Sequence, residues 1–502
     1  VNEAVKGSIS LSGTARVNET LSINNDYKDR NGIEKNTPSY QWYGTENNAT
    51  DAIVDATGAT YKLTGAEFEK DVHVVMDFLD DDGFAETLTS DSMNVFYPYT
   101  VSLVTPGLTA DPVSVLQSTD LGAVWTDATG PVSGGSESHT TPSIAADGKG
   151  NLVLVSVSTG EFGADKDIIV SSSNDNGATW SNASLLITDN AEDDIDPMIA
   201  TDKNGTWVVV WSSGADLQSA TTSDKDIFYV TSTNNGNAWG DPVLLNKEGT
   251  TDGANDDTSP QISMVGDKWT IAWATTHNTS DAGTDIEIFS IHSANAGDSW
   301  NAPVLVSKVG DNENSSDDTL PKMSINESGR GVLIWSGIDA IEGDLDIYGA
   351  TSSNSGESWS TGTAINSYAA TDTATNNDYA SGVSSYSDGS IVTKFVVSWH
   401  GNNEGEGATT GDDVDAFYSV SSNSGVSWVG AKTVNPNAIT DSTGDNETQP
   451  IFIVKPNGEW IASWKDAANA IYIRSSADLI TWDPVVGPLN KSSEEKVNWV
   501  LH

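Results

Sequence analysis

The residues of this 502-residue chain with the most chemical potential are carboxylates, and they recur at intervals. Asp165-Lys166-Asp167, Asp224-Lys225-Asp226, Asp285, Asp344-Leu345-Asp346 and Asp412-Asp413-Val414-Asp415 each precede a short apolar run. Asp194, Asp196, Asp256, Asp257, Asp317, Asp318 and Asp378 fall between them. Like charges held together repel unless a cation or a hydrogen-bond donor intervenes. Hard divalent ions suit such groups, with main-chain carbonyls and water completing roughly six to eight oxygens. The expectation is Ca²⁺ on Asp165, Asp167, Asp224, Asp226, Asp285, Asp344, Asp346, Asp413 and Asp415. The alternative is that each Asp caps its own turn or lies solvated beside its strand.

Trp211, Trp273, Trp335, Trp399 and Trp464 close equivalent apolar runs. The flat rings of Trp211, Trp273, Trp335 and Trp399 could stack on sugars as a rim of ligand contacts. Their repetition equally suits packing between sheets, because ligand pockets are few and asymmetric. His139, His277 and His400, in SESHTTP, TTHNTSD and SWHGNNEGE, break the repeat. A unique site belongs where internal symmetry fails, so His277 and His400 are candidate ligand contacts. Beside carboxylates a His could also act as general base or metal ligand; an inert loop His is the alternative.

The wider composition narrows the partners. Acidic residues number 72 against 23 basic ones, a net charge of -49. That field repels nucleic acid and anionic membranes and favours cations. It also keeps a protein soluble in salty surroundings. Cysteine is absent, which excludes disulfides, zinc thiolates and cysteine nucleophiles. No apolar run reaches the ~18 residues a membrane span needs. The chain starts at Val1 with no signal-peptide pattern, and it is expected to be a processed or excised segment.

A repeat must position these residues. Ser-x-Asp-x-Gly-x-x-Trp occurs at Ser118, Asp120, Gly122, Trp125 and at Ser173, Asp175, Gly177, Trp180. Four copies carry Asn for Asp, with Asn234, Asn295, Asn354 and Asn423 followed by Gly236 and Trp239, Gly297 and Trp300, Gly356 and Trp359, Gly425 and Trp428. A degenerate seventh keeps Ser475 and Trp482, with Ala477 and Leu479 in the Asp and Gly places. A short carboxylate or amide bonds its own turn, and Gly supplies positive φ. The Trp packs between sheets, so the box is a structural staple. Apolar runs such as PMIATDKNGTWVVVW and DIFYVTS precede each later box, and DPVLLN follows one. Four strands per box describe a propeller blade. Seven blades are expected, the first completed by VSLVT at Val101 and the terminal KVNWVLH; six plus a hairpin is the alternative.

These boxes and blades resemble the sialidase-like superfamily over about residues 100–490. The resemblance implies an all-β propeller; its true sialidases hold substrate with three arginines, one in an Arg-Ile-Pro motif, and use a tyrosine–glutamate pair and an aspartic acid. Here arginines occur only at Arg16, Arg30, Arg330 and Arg474, and Arg-Ile-Pro is absent. Sialidase activity is therefore disfavoured, since Lys does not reproduce bidentate carboxylate clamps.

The first hundred residues read as alternating strands with turns about every 8 to 12 residues, and Trp42 in YQWY suits a buried sandwich core. They resemble the cysteine-free Ig-like modules of bacterial surface proteins. The organisation expected is an Ig-like β-sandwich over 1–98 and a propeller over 99–502. The function expected is an extracellular or cell-surface binding or adhesion module for a glycan or surface protein, with Ca²⁺ and without an organic cofactor. Neighbouring Ig-like domains or copies of itself are further candidate partners. A non-sialidase glycoside hydrolase using a carboxylate pair, and a structural surface-layer or filament subunit, are the alternatives.

Overall fold

A computed structural model describes the chain except for residues 1–4, 14, 16–18, 29–31, 33–36, 47–48, 65–66, 68–69, 96–100, 106–113, 119–125, 128–137, 161–164, 188–191, 215–223, 246–254, 277–284, 309–316, 339–343, 367–376, 388–392, 403–413, 436–445, 456–457, 490–497 and 502. Every element of regular structure among the described residues is a β-strand, apart from a single helical turn residue at Glu67. Two compact units divide the chain, Val1–Tyr99 and Thr100–His502.

The first unit packs two antiparallel sheets. One joins Ile9–Ser12, Thr20–Asn25 and Thr60–Lys62; the other joins Ala49–Ala52, Ser39–Glu46, Asp71–Leu79 and Ala85–Thr89, with Met93–Asn94 on Asp71–Leu79. Asp71–Leu79 alternates, burying Val72, Val74, Met76 and Phe78 on the inner face. Trp42 is fully buried among them, and its indole N–H donates to the Gly58 carbonyl at 2.9 Å.

The second unit is a seven-bladed propeller. Blades 2 to 6 are four-stranded, with inner strands Ser138–Ala146, Asp194–Thr201, Asp257–Val265, Asp318–Ile325 and Asp378–Tyr386. Their second strands are Leu152–Thr159, Trp207–Ser213, Lys268–Thr275, Gly331–Ile338 and Lys394–Gly401. The third strands begin at Lys166, Asp226, Glu287, Leu345 and Asp415. Blade 7 joins Thr448–Val454, Trp460–Lys465 and Ile471–Ser476, with an isolated bridge from Ile473 to Val486.

Blade 1 is discontinuous in sequence. Asn498–Leu501 is its inner strand, laid antiparallel on Val101–Thr105, which pairs in turn with Ser114–Ser118 and Thr126–Asp127. The inner strands neighbour one another from blade to blade, and Asn498–Leu501 touches those of blades 2 and 7, so the ring closes. Closure removes the sheet edges that would otherwise invite aggregation.

Burial follows from this arrangement. Trp207–Ser213, Glu287–Ser293 and Asp415–Ser421 are buried at every residue, because each middle strand has a neighbouring blade against both faces. The boxes knit the blades together. In blade 2, Ser173 Oγ donates to Asp175 Oδ1 at 2.8 Å and accepts the Gly177 N–H at 2.9 Å. Asn234, Asn295, Asn354 and Asn423 accept the same hydroxyl bond from Ser232, Ser293, Ser352 and Ser421. Some of the box tryptophans bond backward: Trp359 Nε1 donates to Ser290 Oγ of the preceding blade at 3.0 Å, and Trp482 Nε1 to Tyr418 Oη at 3.1 Å.

The seventh box corrects the sequence reading. Ser476 and Asp478 make its staple, and Leu479 holds the positive φ of 63°. The turn is one residue shorter than the others, which displaced the alignment to Ser475 and Ala477. The first box, at Asp120, Gly122 and Trp125, lies outside the described residues.

Candidate functional site on the propeller axis

A cavity of about 360 Å³ opens on the propeller axis, walled by the inner strands of blades 2 to 7. Each of those strands bulges near its start, between Thr140 and Ser143, Ile195 and Met198, Thr258 and Gln261, Thr319 and Lys322, Ala380 and Gly382, and Thr448 and Ile451. In five of them the bulge is a residue of positive φ followed by proline. Thr141, Asp196, Ser259, Leu320 and Gln449 have φ between 45° and 54°, and Pro142, Pro197, Pro260, Pro321 and Pro450 follow. Proline fits there because the ladder is already broken and no N–H is required.

Blade 6 departs from this rule. Ser381 stands in the proline place, and Ala380 does not take positive φ. Opposite Tyr379 in the ladder stands His400, where blades 3, 4 and 5 have Ser212, Ala274 and Ser336. Ser381 Oγ lies 3.1 Å from His400 Nδ1 and donates to the Tyr379 carbonyl at 3.3 Å. The Tyr379 and His400 rings stack with centroids 5.4 Å apart, and Tyr379 keeps 37% of its surface open. Burial lowers the His400 pKa to about 4, so its imidazole is neutral near pH 7. One point of the wall thus carries a hydroxyl and a neutral imidazole, with the open Tyr379 ring stacked on that imidazole and outside the residues that line the cavity.

The remaining wall is mixed, with Met198, Met323 and Val383 beside Ser259, Gln261 and Gln449. Among the described lining residues Asp196 is the one carboxylate and Lys322 the one ammonium. Neither arginine of the propeller lines it. Arg474 donates to the Val434 carbonyl at 3.0 Å and lies over the Trp482 ring, and the Arg330 N–H is tied into its turn by Asn326.

The acidic repeat lies elsewhere. Asp167, Asp224, Asp226, Asp285, Asp344, Asp346 and Asp415 are all buried, and Asp165 is half-buried. They sit where the start of one blade's third strand meets the next blade's inner strand. Lys166, Lys225, Ile286, Leu345 and Val414 each donate a main-chain N–H to a side-chain oxygen of Asp193, Asp256, Asp317, Asn377 or Asn446, at 3.0 or 3.1 Å. Where the return bond is seen, Asp257, Asp318 and Glu447 donate their N–H to the same residues' carbonyls at 2.7 Å.

Amides and hydroxyls serve some of these acids. Asn366 Nδ2 donates to Asp346 Oδ1 at 2.7 Å and Asp378 Oδ2 at 2.8 Å; Asn435 Nδ2 serves Asp415, and Ser307 Oγ serves Glu287. The acids are therefore divided among separate junctions and do not form one rim. Among the described residues no three carboxylate or imidazole groups are placed to hold a metal together.

The tryptophan rim is also corrected. Trp211, Trp273, Trp335 and Trp399 are buried to 2% or less, with Phe228, Phe289, Tyr348 and Phe417 beside their rings. The Trp211 indole donates to Asp194 Oδ1 at 3.1 Å. These faces are closed to sugar. Of the described histidines, His139 is fully buried at the start of the blade 2 inner strand, the place Asp194 and Asp257 hold elsewhere, and His400 alone lines the cavity. His277 and Asp413 lie outside the described residues. Ser381 and Tyr379 escaped the sequence reading. The missing proline at Ser381, against Pro142, Pro197, Pro260, Pro321 and Pro450, is the signal that marks them.

No known family description and no curated protein matches this sequence. Solved structures with a similar chain trace include the GH93 α-L-arabinofuranosidase of Fusarium graminearum with arabinobiose, 12% identical over 65% of this chain and 88% of that one, at a TM-score of 0.43. The NanB sialidase of Streptococcus pneumoniae is 10% identical over 92% and 95%, at 0.44. A PL25 ulvan lyase is 11% identical over 66% and 88%, at 0.41. These likenesses are distant, and those activities are stated of those proteins alone.

Proposed function

We propose that this chain is an extracellular or cell-surface binding module whose axial cavity takes a sugar unit of a glycan. The observation that carries this reading is the break in blade 6, which sets Ser381 and His400 in a wall otherwise built from proline bulges, with the Tyr379 ring stacked behind on His400. Met198, Met323 and Val383 offer apolar area to a pyranose, while the Ser381 hydroxyl and the His400 imidazole address its hydroxyls. The cavity volume is within the range of small-ligand sites. Binding without hydrolysis is supported by the single carboxylate of the described wall, since glycoside hydrolysis ordinarily needs two flanking the scissile bond.

The first unit, two sheets on a Trp42 core, is read as an Ig-like spacer. Its pairing with a propeller and the -49 charge suit saline surroundings outside the cell. A glycan panel probed with the whole chain tests the proposal. His400→Ala should abolish the strongest signal and Tyr379→Ala, which frees the imidazole it stacks on, should weaken it, with no reducing sugar released. Sugar release that Asp196→Asn stops would establish a hydrolase instead.

A further inference from the structure

Asp224 and Asp285 are 4% and 8% exposed, and neither oxygen of either accepts a hydrogen bond from the described residues. They occupy the same point of the repeat, two residues ahead of Asp226 and Glu287, which open the third strands of blades 3 and 4. The residue between is clamped to the next blade. Lys225 N–H donates to Asp256 Oδ1 and its carbonyl accepts from Asp257 N–H; Ile286 does the same with Asp317 and Asp318. Each unserved carboxylate is thereby fixed at a junction that already buries Asp226 and Asp257, or Glu287. In blade 4 the Ser307 hydroxyl is spent on the second acid, Glu287. A buried anion without donors either takes up a proton or holds a cation.

We propose that the junctions between blades 3 and 4 and between blades 4 and 5 each hold a hard divalent cation, Ca²⁺ in class, on the carboxylates of Asp224 and Asp285. With no three carboxylates converging among the described residues, main-chain oxygens and water complete the shell. Few charged ligands make a weak site, so half-saturation falls at about 10⁻⁴ to 10⁻³ M, the range of extracellular modules. The cations would tie neighbouring blades together and leave the axial cavity untouched.

The whole chain, stripped with EDTA, is titrated with CaCl₂ by calorimetry and melted with and without Ca²⁺, with NaCl at matched ionic strength as control. Two sites and a raised melting temperature are expected with Ca²⁺ alone. Asp224→Asn and Asp285→Asn should each lose one site. The double variant should lose the Ca²⁺-dependent shift and, relieved of two buried charges, melt above the parent in EDTA. An equal shift with NaCl, or unchanged Ca²⁺ binding in the double variant, overturns the proposal. So does a stripped parent whose melting temperature Ca²⁺ leaves unchanged.

Discussion

Asn366 offers a quantitative test of how the blade junctions hold together. Its amide nitrogen donates to Asp346 and Asp378 at 2.7 and 2.8 Å, and all three residues are buried to 2% or less. The two N–H bonds of an amide diverge by about 120°, which sets the accepting oxygens about 5 Å apart. At an effective dielectric of about 20, two charges at that separation repel by roughly 3 kcal/mol. Asn366→Asp removes both donors, each worth about 1.5–3 kcal/mol towards a charged acceptor, and adds a third acid in contact with the other two. The expected loss at pH 8 is roughly 4–6 kcal/mol, a large share of the ~5–15 kcal/mol a domain commonly has.

The sign of the pH dependence follows. The added acid is favoured in its protonated form by folding, so its folded pKa exceeds the unfolded one. The folded state then binds more protons, and the deficit grows as pH rises through that window and shrinks towards pH 5. Asn366→Ser, which leaves one donor as Ser307 does in blade 4, should cost about half as much and show little pH dependence. Denaturant titrations at pH 5 and pH 8 read both quantities. An Asn366→Asp chain as stable as the parent at pH 8 would refute the reasoning.

Three further outcomes are expected. His400 has a pKa depressed to about 4 against an ordinary 6.5, so the unfolded chain takes its proton first and the parent loses stability as pH falls across that window; His400→Gln should remove this part of the slope in paired melts. Gly356 holds φ +83° with Thr270 Cγ2 2.5 Å from where a Cβ would stand, so Gly356→Ala should cost roughly 2–4 kcal/mol by chemical denaturation. Deleting residues 498–502 takes the inner strand from blade 1; the melt should shift down and lose cooperativity, and an unchanged melt would deny that this strand closes the ring.

Blade number and strand order were legible because the box residues act within their own turn, so each copy announces itself locally. The closing strand was legible only as an apolar remnant needing a partner. What the repeat concealed was direction. Trp211 and its counterparts end strands near the expected mouth, yet a middle strand between two blades has no open face for them. The acids were found, but their distribution among separate junctions depends on bonds such as Lys225 to Asp256, between residues far apart in sequence. Ser381 carries no motif; it is informative only as a missing proline in a column of prolines.

The way blade 1 is completed also says how the propeller meets tension. Val101 pairs with Leu501 and Val104 with Asn498, so the chain enters and leaves the ring at the same end of one strand pair. A pull applied through both flanking segments would unzip these bonds one after another and would not shear them together. The ring should then open at low force, from its clasp, with the other six blades still folded.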